Sequence, residues 1–492
     1  MRQPFRLPAR LPTLLRGFGL LPILAAIFVF APLFPAPPGS VRWHGTPTVA
    51  MEVGATLLLM VLLCRPWPGA DFVIAPSLRQ VSLLCMHLLF VWALVSCLRA
   101  PNPFAVQGLL TLGFGVLTAD VVAAQVTDQR RMTFFVFALL GAGVLVCGFS
   151  LAALGRTEPL AFGSLHDHQL FGAFLAIPLL LSLALSFGGG SQAQRLAGQA
   201  ALLLCLAGLW ESQARSAWLG VAAALLVFAA LSAFMAGRKA IRPGVIVPVL
   251  LVLAAMLGVV LLLPRDKVLA RVQSYSGGAG SARDSLRWRE AVWAGTRRMI
   301  REKPLWGWGI GSFPATHQPW TGTGHRPGEV YADGPSIEDE AHNSYLQTWA
   351  ELGGAGLVLW TGALGAFLIA GVRALPRYPA RSPAQWVLVG CLSAIAGQMV
   401  DACANPAWQF GPVLLPLWGV LGLTAALTRP GEAGHRQPRR LVSVPVVSVP
   451  AVSAAAVSAA ARFGQALLAA GVGAGLLWLI FSTAFALPAP HL

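Results

Sequence analysis

The chain has 492 residues, of which 56% are apolar and only 11% charged. Soluble globular domains carry about one-quarter charged residues, so that class is excluded, together with collagen-like, disordered and disulfide-framework proteins. The net charge of +16 is arginine-driven, since every cation except Lys239, Lys267 and Lys303 is an arginine. Such an excess suits nucleic acid in a soluble protein, but in an apolar chain it is first a topology signal, and no nucleic-acid partner is expected.

Apolar runs long enough to cross a bilayer fall at 18–34, 47–64, 81–98, 104–126, 132–154, 168–187, 196–212, 216–236, 244–263, 344–371, 384–401 and 411–428, with a further run at 463–487. The sequence therefore predicts an all-α polytopic membrane protein with about 12 transmembrane helices and an optional 13th at the C-terminus. Arg2, Arg6, Arg10 and Arg16 precede the first run in the manner of a signal peptide. Pro35-Ala36-Pro37-Pro38 follows it without a small-residue cleavage site, so the run reads as a retained helix. With the N-terminus in the cytoplasm, 20 of the 35 cations lie in the tail and inner loops. Only Arg42, Arg99, Arg156 and Arg215 lie in short outer loops, and the remaining 11 lie in 264–343, where the rule no longer applies.

The expected organisation is thus 1–263 with nine spans, 264–343 as a long periplasmic loop, 344–428 with three spans, 429–462 as a flexible Arg/Pro-rich linker, and 463–492 as the optional last helix. Residues 284–301 carry Trp288, Val292 and Met299 on one helical face and Arg287, Arg297, Arg298 and Arg301 elsewhere, the pattern of a helix along the interface. A cap of short helices between the ninth and tenth spans follows. The seven cysteines show no CxxC spacing and lie mostly within apolar runs, as small buried thiols.

Arginines at an otherwise apolar outer surface call for partners. Arg156, Arg215, Arg287 and Arg289 form such a set. A guanidinium grips phosphate bidentately and cannot deprotonate, which suits a diphosphate; membrane lipid headgroups, or the carboxylates of Glu211, Asp284 and Glu290, would serve the same charges. His342 ends the long loop in Glu338-Asp339-Glu340-Ala341-His342-Asn343-Ser344-Tyr345. Its neutral ring can take a proton from a hydroxyl, with Asn343 orienting the ring or holding a sugar hydroxyl, or it can simply cap the helix start. Asp339, Glu340 and His342, with His166, Asp167 and His168, offer metal-ligand atoms, but no second-site spacing supports them. No metal or other cofactor is expected. Asp401 either binds sugar or pairs within the bundle. There is no GxxxxGK[ST] phosphate loop, and acids within the runs are few (Glu52, Asp120, Glu211, Glu351, Asp401), which makes a transporter the alternative class.

Three patches resemble the O-antigen ligase / O-antigen polymerase superfamily of bacterial envelope glycosyltransferases. They are Gln213-Ala214-Arg215-Ser216-Ala217-Trp218-Leu219-Gly220; Arg289-x-x-x-Trp293 followed by Pro304-Leu305-Trp306-Gly307-Trp308-Gly309-x-Gly311-x-Phe313; and His342-Asn343-x-Tyr345-Leu346-Gln347-x-x-x-Glu351-Leu352-Gly353-x-x-Gly356. The first reads Ala-Arg-Ser where the family more often has Ser-Arg-Gly, and His168 stands where it often has asparagine. The resemblance implies a metal-independent inverting transfer at the periplasmic face of a Gram-negative inner membrane. The donor would be an O-antigen glycan on undecaprenyl diphosphate and the acceptor a hydroxyl of lipid A–core oligosaccharide. It implies that His342 is the base, that Arg215 and Arg289 hold the diphosphate with Arg287 or Arg156 assisting, and that Asn343, Gln347, His168 and Asp401 meet substrate. The spacing to Trp293 favours Arg289 over Arg287, which lies about 200° away on a helix. A polymerase or a protein O-oligosaccharyltransferase would use the same motifs. The single long loop and the lack of a C-terminal soluble domain favour a ligase.

Overall fold

The computed structural model describes residues 21–30, 78–102, 104–153, 165, 167–236, 282–317 and 340–429. All regular elements among them are helical: α1 (Leu21–Phe30), α2 (Leu78–Arg99), α3 (Ala105–Gln125), α4 (Gln129–Ala153), α5 (His168–Gly188), α6 (Gln192–Ser212), α7 (Arg215–Ala236), α8 (Ala282–Glu302), α9 (Phe313–Thr316), α10 (Ser344–Ala374), α11 (Pro383–Asp401) and α12 (Gly411–Leu427). Seven of the described helices are long and apolar enough to cross a membrane, namely α2, α3, α4, α5, α7, α10 and α11. The apolar run 196–212 forms α6 and the run 411–428 forms the shorter α12. The runs expected at 47–64, 244–263 and 463–487, and the linker 429–462 beyond its first residue, lie outside the described residues.

Helix starts follow local chemistry. The Asp167 side chain accepts from Gln169 and Leu170 N–H at the head of α5, and Ser191 with Gln194 forms a reciprocal capping box on α6. Buried almost throughout, α5 packs against α6, α7 and α11. Lipid gives helices no hydrophobic reason to associate, so close approach depends on small residues. Gly220 on α7 and Gly397 on α11 supply it: a Cβ on either would come within 2.7–2.8 Å of the other's carbonyl oxygen. That contact fixes the head of α7 against the end of α11.

Helix α8 has the expected two-sided character, with Val292, Thr296, Met299 and Ile300 buried and Glu290, Arg297 and Arg301 exposed. Its buried face meets Phe313, Ala341 and Ala350, with Trp308 and Leu346 packed alongside, in a small core separate from the main bundle. This core sits around the first turns of α10.

The largest departure from the sequence reading is in α10. One uninterrupted helix was expected over 344–371, but Gly353 adopts φ +70°, ψ −178°, a conformation essentially confined to glycine. The helix is therefore two segments, and the break leaves carbonyls without helical donors. The segment 303–311 fills them. Trp308 N–H donates to Ala350 O (2.8 Å), Gly309 N–H to Glu351 O (2.9 Å), and Gly354 N–H to Pro304 O (2.8 Å). The Trp92 indole donates to Leu352 O at 2.7 Å. The Glu351 carboxylate accepts from Gly311 N–H (3.0 Å) and Phe313 N–H (3.3 Å).

A Cβ at Gly353 would collide with the Leu305 carbonyl, whereas one at Gly362, in the same helix, would meet nothing within 4 Å. Gly353→Ala is expected to cost about 3 kcal/mol or more, through backbone strain and the collision. Gly362→Ala should be neutral or slightly stabilising. Thermal unfolding of the two purified variants in one detergent checks this, and equal melting temperatures would contradict the account.

Candidate active site

The residues before α10 are fastened from three sides. Ala341 is buried, its N–H donates to Gln347 Oε1 (3.0 Å), and its carbonyl accepts from the Trp293 indole of α8 (2.9 Å). Asn343 caps α10 by accepting from Leu346 N–H (3.0 Å), and its amide donates to Cys403 O (2.8 Å). Ser344 N–H donates to Ala402 O (2.9 Å) and its hydroxyl to Asn405 O (2.7 Å). His342, half-buried between these anchors, is held at φ +49°. A histidine in the left-handed region is uncommon, and such strain persists only where the surroundings over-determine it.

One helical turn before Trp293, Arg289 lies on the same side of α8. Its guanidinium is coupled electrostatically to Arg215, Asp167 and Asp401. Burial pushes Arg289 below its ordinary value and the charge of Arg215 adds to this, while Asp167 and Asp401 oppose it. Its Nε is buried without a hydrogen-bond partner among the described residues. Arg215 opens α7 just after Gln213, whose left-handed turn (φ +55°) ends α6, and its side chain is exposed. Asp401 closes α11, almost wholly buried, beside Ser216, with Asn405 donating to Oδ1 at 3.3 Å. Asp167 and the half-buried His168 stand at the head of α5.

The heads of α5 and α7, the end of α11 and α8 thus bring Arg215, Arg289, Asp167 and Asp401 to one place. The Trp293–Ala341 and Ser344–Ala402 bonds tie the His342 segment to the same walls. Arg287 lies two residues from Arg289 on α8, and its side chain, like all of Arg156, is outside the described residues. Asn343 is engaged in capping and anchoring. Gln347 is fully buried, its Oε1 on Ala341 and its Nε2 donating to Glu351 Oε1 at 3.3 Å, so its contacts are internal rather than aimed at open space. Among the described residues no three His, Cys, Asp or Glu side chains are grouped as metal ligands; Asp339 and His166 lie outside them.

Two participants escaped the sequence reading. Asp167 entered only as a possible metal ligand, although an aspartate directly before an apolar run is an N-cap signal. His317 drew no attention. It is fully buried, stacked on Phe313 at 4.4 Å, and its Nε2–H donates to Val292 O at 3.3 Å.

The architecture defines a multi-pass, all-helical membrane protein with a half-buried histidine and an arginine pair gathered at one end of the bundle. Residues 200–361 match the family model described as O-Antigen ligase. This segment holds all three sequence patches, while Arg156, Asp167, His168 and Asp401 lie outside it. Members of that family are glycosyltransferase-like enzymes. No curated protein matches the chain.

Burial pushes His317 down to about 4, assisted by Arg298 and opposed by the Val292 carbonyl. An unfolded histidine titrates near 6.5. Between these values the unfolded segment binds a proton that the folded one refuses, so stability falls as the pH drops from about 6.5 to 4. The full effect is roughly 3 kcal/mol. Hydrogen exchange of 303–317 should therefore accelerate between pH 7 and pH 5 after correction for intrinsic rates, and His317→Phe should flatten that dependence.

Proposed function

We propose that the protein is an O-antigen ligase, transferring a glycan from undecaprenyl diphosphate to a hydroxyl of lipid A–core oligosaccharide at the periplasmic face of the inner membrane, with the N-terminus in the cytoplasm. The observation that carries this reading is the convergence of Arg215 and Arg289 beside the strained His342 segment. Two guanidinium groups on different helices, the Arg289 one partly desolvated, repel each other and make a site that wants a multivalent anion. A diphosphate on a lipid tail is such an anion, and it is a competent leaving group once its developing charge is held.

In the proposed step the acceptor hydroxyl oxygen attacks the anomeric carbon from the face opposite the diphosphate. The bond from that carbon to the phosphate oxygen breaks, the electron pair leaves with undecaprenyl diphosphate, and the anomeric configuration inverts. The hydroxyl proton passes to the neutral imidazole of His342. Arg215 and Arg289 hold the diphosphate, with Arg287 or Arg156 assisting. In this reading Asp401 and His168 meet the acceptor or donor sugar. Asn343 and Gln347 act through His342: one fixes the helix start, the other the residue before the histidine. Both substrates carry lipid tails, which accounts for a site at the end of the bundle.

Purified protein is to be mixed with lipid-diphosphate glycan and lipid A–core, in EDTA. Transfer is expected, with His342→Ala reducing turnover about 10²–10⁴-fold, the range for a lost general base. Elongation of the lipid-linked glycan, with none on lipid A–core, would make the protein a polymerase. Transfer to a pilin serine or threonine would make it a protein O-oligosaccharyltransferase, and transport without transfer would remove the enzyme reading.

Gln347→Leu separates positioning from binding. Releasing Ala341 should lower kcat roughly 10- to 100-fold, as for loss of an orienting outer-shell contact, with little change in the KM of either substrate. A rise in KM at unchanged kcat would return Gln347 to direct substrate contact.

A further inference from the structure

The end of α2 and the segment 302–309 line an open cleft of about 350 Å³. Two cations line it, each held against an indole. The Arg99 guanidinium carbon lies 4.1 Å over the Trp306 ring, and Lys303 Nζ lies 3.8 Å over Trp308. The indoles are themselves fixed. Trp306 stacks on Trp92 at 4.6 Å, and the Trp308 Nε1–H donates to Met299 O at 2.9 Å. Among the described residues neither cation forms an ion pair. Glu302 is the third charged group lining the cleft.

The setting is as informative as the charges. Arg99 ends a membrane-spanning helix, so the cleft sits at the level where hydrocarbon gives way to headgroups. Below it the exposed apolar side chains of α2, Leu88, Val91, Val95 and Leu98, recur every three or four residues and form one stripe. Leu305 and Trp306 are exposed beside the cleft. Two pre-positioned cations and one carboxylate therefore sit at the end of an apolar track.

We propose that this cleft is a binding site for the headgroup of an aminophospholipid, with the phosphate on Arg99 and Lys303, the ammonium on Glu302, and an acyl chain along the α2 stripe. The two cations match a phosphodiester. The carboxylate would repel a purely anionic headgroup and attracts an amine, so the triad discriminates in favour of a zwitterion. This inference requires only that α2 spans a membrane and is independent of the glycosyl-transfer reading.

Native mass spectrometry of the detergent-purified full chain, titrated with matched-acyl phosphatidylethanolamine, phosphatidylglycerol and phosphatidylcholine, tests it. The ethanolamine lipid should bind first as a discrete adduct. The Arg99→Gln/Lys303→Gln variant should weaken that adduct roughly 30-fold, at about 1 kcal/mol for each cation. Glu302→Gln should erase the preference for ethanolamine over glycerol, with phosphatidylglycerol binding strengthened. If the double variant loses its cooperative melt, Lys303→Met alone, which keeps the apolar stem, should still show a partial loss. Equal retention of the three lipids by the wild type, or cation variants that bind ethanolamine lipid unchanged, would overturn the proposal. An unaltered ethanolamine preference in Glu302→Gln would overturn the amine contact on which it rests.

Discussion

A helix that breaks at the edge of a membrane must find donors for the carbonyls it exposes, because water is scarce there and an unsatisfied peptide group costs several kcal/mol. In α10 the break at Gly353 exposes the carbonyls of Ala350, Glu351 and Leu352, which receive donors from Trp308 and Gly309 of one segment and from Trp92 of α2. The Glu351 carboxylate then extends the connection to Gly311 and Phe313. One backbone irregularity thus pins down the segment 303–313, and that segment packs the buried face of α8. Arg289 stands where it does because α8 is so held.

The same carboxylate reaches the other way. Gln347 bridges Glu351 to Ala341, and Ala341 takes the Trp293 indole on its carbonyl. His342 is the next residue, at φ +49°. The strained backbone of the candidate base is therefore set by a chain of hydrogen bonds whose members are buried glutamine, buried glutamate and glycine-rich loop. Two of the sequence patches, distant along the chain, are the two halves of this one device.

Hydrophobic patterning made most described helices legible, since a run of about 20 apolar residues has few other fates. The amphipathic face of α8 was equally open, with Val292 and Met299 inward and Arg297 and Arg301 outward as the spacing required. The α10 break was not legible. Glu351-Leu352-Gly353-Gly354 continues a helical apolar pattern, and nothing local says that Gly353 leaves it, because the cause lies some 45 residues upstream in the Pro304–Gly311 segment. The motif resemblance assigns Gln347 to substrate, while its hydrogen bonds run to Ala341 and Glu351. A polar residue in a candidate site reads the same whether it faces a ligand or a neighbouring peptide, and only the fold separates the two. His317, lone and unpatterned, became visible only through its burial.

The Gly220–Gly397 contact has an electrostatic corollary. It locks Arg215 and Asp401 into one rigid block, while Arg289 rides on a different element, attached through indole-to-carbonyl bonds. Across the seam two positive charges face each other, and Arg215 already weighs against the charged state of Arg289. An anion that settles between them converts repulsion into two attractions, so it acts as mortar as well as ligand. By linkage, whatever free energy such an anion gains from the site is returned as resistance of the two blocks to separation. Occupancy and cohesion in this protein are then one quantity seen from two directions.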